Sequence, residues 1–126
     1  MKLKSAAGIV CYVKSVDETA HFYETLGFQV KTREPDRVSA YLNWFWIDFR
    51  SPDQEEGQEW KEEATAGNNG SGLFLYLNVE NVDEAYNELL EKGLNPVCEP
   101  RNRPGGVREF VLRDPDGYQL VFFKKK

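Results

Sequence analysis

Histidine is almost absent. His21 is the single imidazole in 126 residues. A histidine-anchored triad or an imidazole-rich transition-metal centre therefore has very little material to draw on. Cysteine is nearly as scarce, with Cys11 and Cys98 and no C-x-x-C spacing. That excludes a cysteine-rich zinc module and a disulfide framework. Cys11 sits inside the apolar run Ile9-Val10-Cys11-Tyr12-Val13 and reads as a reduced core thiol. No apolar run approaches the ~20 residues needed to span a bilayer. The segment Met1-Lys2-Leu3-Lys4-Ser5 is basic, but the apolar stretch after it is short and enters a strand pattern, so it is not read as a signal peptide. The expected location is cytoplasmic, with no membrane partner.

A basic face is also missing. Lys and Arg number 16 against 21 Asp and Glu, a net charge of −5. Nucleic-acid binding needs clustered cations and is not expected. The one basic run, Lys124-Lys125-Lys126, reads as a solvated tail. There is no G-x-S-x-G elbow. Arg103-Pro104-Gly105-Gly106 does not match a phosphate loop and reads as a loop entering a strand.

What is present is an internal repeat. Val13-Lys14-Ser15-Val16-Asp17-Glu18 returns as Val79-Glu80-Asn81-Val82-Asp83-Glu84, an offset of 66 residues, and the same offset carries Gly27 onto Gly93. Each copy marks a helix. Ser15 with Glu18, and Asn81 with Glu84, stand where a helix N-terminus is capped. Val16, Ala20 and Tyr23 form one apolar stripe; Val82, Ala85, Tyr86, Leu89 and Leu90 form the other. Gly27 and Gly93 supply the left-handed stop. The periodicity predicts strands over 7–13, 28–34, 37–42 and 45–50 around a helix at 16–26. It then predicts strands over 72–79, 94–99, 107–113 and 118–124 around a helix at 82–92. Residues 51–71 are polar and glycine-rich and read as a flexible linker or as a loop over a site. Asp114-Pro115-Asp116-Gly117 reads as a tight turn. The organisation is thus one domain, 1–126, made of a first module at 1–50, the linker, and a second module at 72–126.

These landmarks carry a resemblance. "VKSVDETAHFYETLGFQV", "VENVDEAYNELLEKGL" and "GGVREFVLRDPDGYQLVFF", in that order, resemble the vicinal-oxygen-chelate superfamily of glyoxalases, bleomycin-resistance proteins and extradiol dioxygenases. The resemblance implies an α+β fold of two β-α-β-β-β modules, forming a curved, incomplete eight-stranded sheet with helices outside, and often a homodimer. Strand alternation then turns Tyr12, Trp46, Asp48, Arg50, Phe74, Tyr76, Asn78, Gln119 and Phe123 toward a cavity, with Glu109 joining them. Metal-dependent relatives carry a His or Glu at four cavity positions, which fall here on Gly8, Asp48, Phe74 and Val121. Asp48 alone offers an oxygen, so no metal and no cofactor are expected. An aromatic cavity with a few polar groups describes a pocket for a small aromatic or cationic molecule, extending to drug sequestration. The alternative is a divergent metal-dependent lyase or dioxygenase with ligands elsewhere.

Overall fold

The computed structural model describes residues 1–67 and 69–126. The chain divides into two compact units, Met1–Asn69 and Gly70–Lys126. The fold is α+β, and each unit is a β-α-β-β-β module with a four-stranded mixed sheet.

In the first unit, β1 (Gly8–Tyr12) leads into α1 (Val16–Leu26), followed by β2 (Gln29–Glu34), β3 (Arg37–Leu42) and β4 (Phe45–Arg50). The sheet order is β1-β4-β3-β2. β1 lies parallel to β4, while β2-β3 and β3-β4 are antiparallel hairpin pairs. The β3–β4 connection is only two residues long, and Asn43 takes φ 56°, a left-handed conformation that asparagine tolerates. This short turn fixes the register that matters most here, Ser39 opposite Asp48 and Arg37 opposite Arg50.

The helix begins and ends where the sequence marks it. The Ser15 side chain accepts a hydrogen bond from the Glu18 N–H, and Gly27, at φ 107°, closes the last turn onto Tyr23 and Glu24. Its inner face packs on β3 and β4. Tyr23 is buried among Phe22, Phe28 and Phe49, with ring centroids 4.5–5.2 Å away. Phe49 and Ile47 therefore face the helix, as the alternation along β4 requires. Among the described residues of 51–71 lie a 3-10 turn at Pro52–Gln54 and the short helix α2 (Gln58–Ala64).

The second unit repeats the plan. β5 (Phe74–Asn78), α3 (Val82–Glu91), β6 (Arg101–Arg103), β7 (Val107–Arg113) and β8 (Gln119–Lys125) form a sheet of order β5-β8-β7-β6, with β5 parallel to β8. Asn81 caps α3 by accepting from the Glu84 N–H at 3.0 Å. Phe110 stacks on Phe122 with centroids 4.9 Å apart, and Tyr86 of α3 meets Phe110 edge-on. Leu112, Leu120 and Leu89 complete the buried side of this sheet. The Asp114 carboxylate accepts from the N–H groups of Asp116 and Tyr118, which builds the turn between β7 and β8.

One expected strand is not formed. Residues 94–99 are irregular, and pairing begins only at Arg101. Pro96 lies inside this stretch and Pro100 follows it, and neither can donate a ladder bond. The segment keeps a single sheet-like contact, from the Val97 N–H to the Val111 carbonyl at 2.7 Å. The last strand runs to Lys125, one residue beyond the expected end at 124, and Lys124 and Lys125 stay exposed on it.

Candidate functional site

The first unit gathers Tyr12, Trp46, Asp48 and Arg50 on the sheet face opposite α1. Asp48 is 5% exposed. A carboxylate so placed requires partners, because burying an unpaired charge costs several kcal/mol, as an order of magnitude. It has them. Ser39 Oγ donates to Oδ1 at 2.7 Å, Arg50 Nε donates to Oδ2 at 2.7 Å, and Arg37 Nε stands 3.7 Å from Oδ1. Arg50 is itself shared, since its Nη1 donates to Glu55 Oε1 at 3.2 Å, and its guanidinium lies 6.0 Å from the Trp60 ring centre. Burial works to lower the Arg50 pKa, but the hydrogen bonds and charges of Asp48 and Glu55 outweigh it, and the net shift is upward. Tyr12 lies under the same group. Burial first, then the hydrogen bond and charge of Glu55, raise its phenol to about 12 against the opposing pull of Arg50.

Ser39, Arg37, Glu55 and Trp60 were not singled out by sequence reasoning. Ser39 and Arg37 could have been found from the two-residue turn at Asn43-Trp44, which sets them opposite Asp48 and Arg50. Glu55 and Trp60 carry no such signal, because they arrive on the irregular segment after β4. An open polar groove of about 300 Å³ lies beside this cluster, lined by Glu34, Asp36, Arg37, Arg50, Ser51 and Glu55. Trp46 and Asp48 do not line it.

The second unit offers a different groove, of about 490 Å³, walled by Tyr76 and Phe123 and lined further by Arg103, Pro104, Val107, Glu109 and Lys125. Tyr76 and Phe123 meet edge-to-face with centroids 5.3 Å apart. The sequence-derived candidates Tyr76, Glu109 and Phe123 are thus brought together. Phe74, Asn78 and Gln119 lie on the same sheet face but outside the groove. Arg103 and Lys125 were missed. Arg103 was read as loop, and Lys125 as tail.

The four positions at which metal-dependent relatives hold ligands can be tested against this geometry. The two modules treat them alike: Gly8 pairs with Trp46 and Asp48 stands two residues further along β4, while Phe74 pairs with Gln119 and Val121 stands two further along β8. The chemistry of these four side chains does not fit a divalent metal. Gly8 has no side chain, and the Trp46 ring fills the space beside it: an added Cβ would come within 2.6 Å of Trp46 Cε3. Asp48 is committed to Ser39 and Arg50. Phe74 and Val121 carry no donor. Among the described residues, no group of three or more His, Cys, Asp or Glu side chains could hold an ion. His21 is exposed on α1, and Cys11 is buried. The described residues contain no helix long and apolar enough to cross a membrane.

Known proteins resemble this arrangement. A virulence protein of Salmonella typhimurium is 26% identical over 113 residues, covering 86% of this chain and 76% of that protein. Its crystal structure matches with a TM-score of 0.75 at 23% identity over the whole of both chains. The bleomycin resistance determinant encoded on transposon Tn5 has a TM-score of 0.69 at 19% identity, over 98% of this chain and 99% of that one. A glyoxalase/bleomycin resistance protein/dioxygenase from Nocardioides gives 0.75 at 16% identity, over 98% and 84%. The family model for these proteins matches residues 6–122, and the chain belongs to the glyoxalase/bleomycin resistance protein/dioxygenase superfamily.

Proposed function

We propose that this chain is a non-catalytic, metal-free binding protein for a small aromatic molecule, with its ligand on the exposed sheet face of the second unit. One observation carries the reading. The four metal-ligand positions hold a glycine, an internally committed aspartate, a phenylalanine and a valine, while an aromatic-walled groove of about 490 Å³ stands open in the same fold. That volume suits a small organic ligand, and such sites are mostly apolar with a few orienting polar groups. Tyr76 and Phe123 supply the apolar walls, and Glu109 and Arg103 the polar groups. Likeness to a bleomycin resistance determinant supports drug sequestration as one form of this activity. A homodimer is the proposed assembly, because β2 and β6 end their sheets and unpaired strand edges favour association. A cytoplasmic location completes the reading.

The test is a ligand-observed NMR screen of neutral and charged aromatic fragments. Tyr76→Ala and Phe123→Ala should each weaken a bound fragment by about 1 kcal/mol, the scale of one aromatic contact. Fragments that bind with unchanged affinity to both variants would remove the groove from the account.

A further inference from the structure

The groove of the second unit carries charge in a defined order, and that order specifies more than an aromatic ligand. The register of β6, β7 and β8 places Arg103, Val107 and Lys125 in one cross-strand row. Arg101, Glu109 and Phe123 form the next row. Tyr76, which pairs with Val121, stands one row beyond and turns its ring onto Phe123. These side chains share one face, because they alternate by two along their strands. Along the strand direction the groove therefore runs from two cations, through a carboxylate, to an aromatic wall. Successive rows on one face are two residues apart, roughly 7 Å.

Glu109 is the informative member. It is only 9% exposed, and it lines the groove. Among the described residues, its carboxylate has no ion pair and no hydrogen bond. Arg101 sits directly opposite on β6 yet stays exposed and does not come within ion-pair distance. Arg103 and Lys125 likewise form no ion pair. The corresponding cluster in the first unit is the opposite case, since Asp48 there is satisfied by its own neighbours. Its carboxylate oxygens are not sealed from solvent; they open onto the groove, where a bound molecule can supply a donor.

We propose that the groove binds a short zwitterionic molecule: an aromatic group against Tyr76 and Phe123, an ammonium group beside it on Glu109, and an anionic group roughly 7 Å further along, between Arg103 and Lys125. A dipeptide with an aromatic N-terminal residue has this order of groups. The inference rests on the small-molecule reading above and adds the ligand's charge pattern to it.

Four probes separate the two. These are the dipeptide phenylalanyl-glycine, its reverse glycyl-phenylalanine, 2-phenylethylamine and 3-phenylpropionate, each titrated into the protein while amide shifts are followed in β7 and β8. Phenylalanyl-glycine should bind about tenfold tighter than either single-charge probe, the scale of one charge-assisted hydrogen bond. It should also exceed its reverse. Glu109→Gln should reduce it to the level of 3-phenylpropionate, and the Arg103→Ala/Lys125→Ala double variant to that of 2-phenylethylamine. Because Arg103 and Lys125 are exposed, that variant tests the charge pattern even if Glu109→Gln disturbs the sheet. Equal affinities for all four probes would overturn the charge pattern and leave an aromatic-binding groove standing. No shift at Tyr76, Glu109 or Phe123 with any probe at millimolar concentration would overturn both.

Discussion

Replacing Asp48 by alanine probes the polar cluster of the first unit most sharply. The carboxylate is 5% exposed and accepts two hydrogen bonds at 2.7 Å, one from Ser39 and one from Arg50. Truncating one member of a buried charged pair costs about 3–5 kcal/mol when the other is stranded in the interior. Arg50 is not fully stranded. Its side chain is 29% exposed and keeps Glu55 at 3.2 Å, and Arg37 is more open still. The expected loss is therefore lower, about 2–3 kcal/mol, counting one charge-assisted bond, one neutral bond to Ser39 and a small cavity. Urea denaturation should show the midpoint falling with little change in slope, which marks lost stability rather than an altered unfolded state. Asp48→Asn keeps an acceptor for Ser39 and should lose about half as much. The Asp48→Ala/Arg50→Met double variant should be less destabilised than the sum of the singles, since the second change removes the cation left behind. A loss under about 0.5 kcal/mol for Asp48→Ala would mean that solvent replaces the carboxylate freely, and the description of a closed cluster would be wrong.

Four further outcomes follow from the same structure. Gly8→Ala should cost about 1–3 kcal/mol and shift the Trp46 emission, because the new methyl meets both the ring and the backbone of Trp46; an unperturbed emission with full stability would refute the close approach. Tyr12 has its pKa raised from 10.0 to about 12, so the folded state favours the neutral phenol. That contribution is complete below pH 10 and is lost as pH rises toward 12; it is at most about 3 kcal/mol, and Tyr12→Phe should flatten this part of the stability curve relative to wild type. Phe110→Ala removes a ring that is 0% exposed and stacked on Phe122, and calorimetry should show a loss of about 3–5 kcal/mol. Asn81→Ala deletes the cap of α3 and should cost about 1 kcal/mol in a denaturant titration, with Asn81→Ser restoring most of it.

Much of the fold could be read in the sequence because its signals are local. Ser15, Asn81, Gly27 and Gly93 mark helix ends through short-range backbone chemistry, and the 66-residue repeat joins two such helices into two modules. Alternation along β4 sorted Ile47 and Phe49 from Asp48 and Arg50, because only one register buries the apolar set against α1. The failures have equally local causes. Residues 94–99 carry the apolar content of a strand, but Pro96 and Pro100 remove the donors that pairing needs. Lys125 was read as tail because sequence shows charge without showing that the last strand runs one residue past 124 to pair with Val107. Asp48 was expected at the polar end of a ligand cavity. The structure adds what alternation does not show: hydrogen bonds from Ser39 and Arg50 to its oxygens, set by hairpin register, and Glu55 reaching Arg50 from outside the sheet. Glu109 was a candidate only through strand alternation; its isolation from every described cation is a property of side-chain reach, which no sequence pattern encodes.

The central claim is that ligand binding in this chain needs no metal. The most direct measurement is the affinity of one aromatic ligand, phenylalanyl-glycine, before and after treatment with excess chelator, with elemental analysis of both samples. The account predicts the same dissociation constant in the two samples and well under one divalent ion per chain in each. One ion per chain in the untreated protein, with binding abolished by its removal, would contradict it.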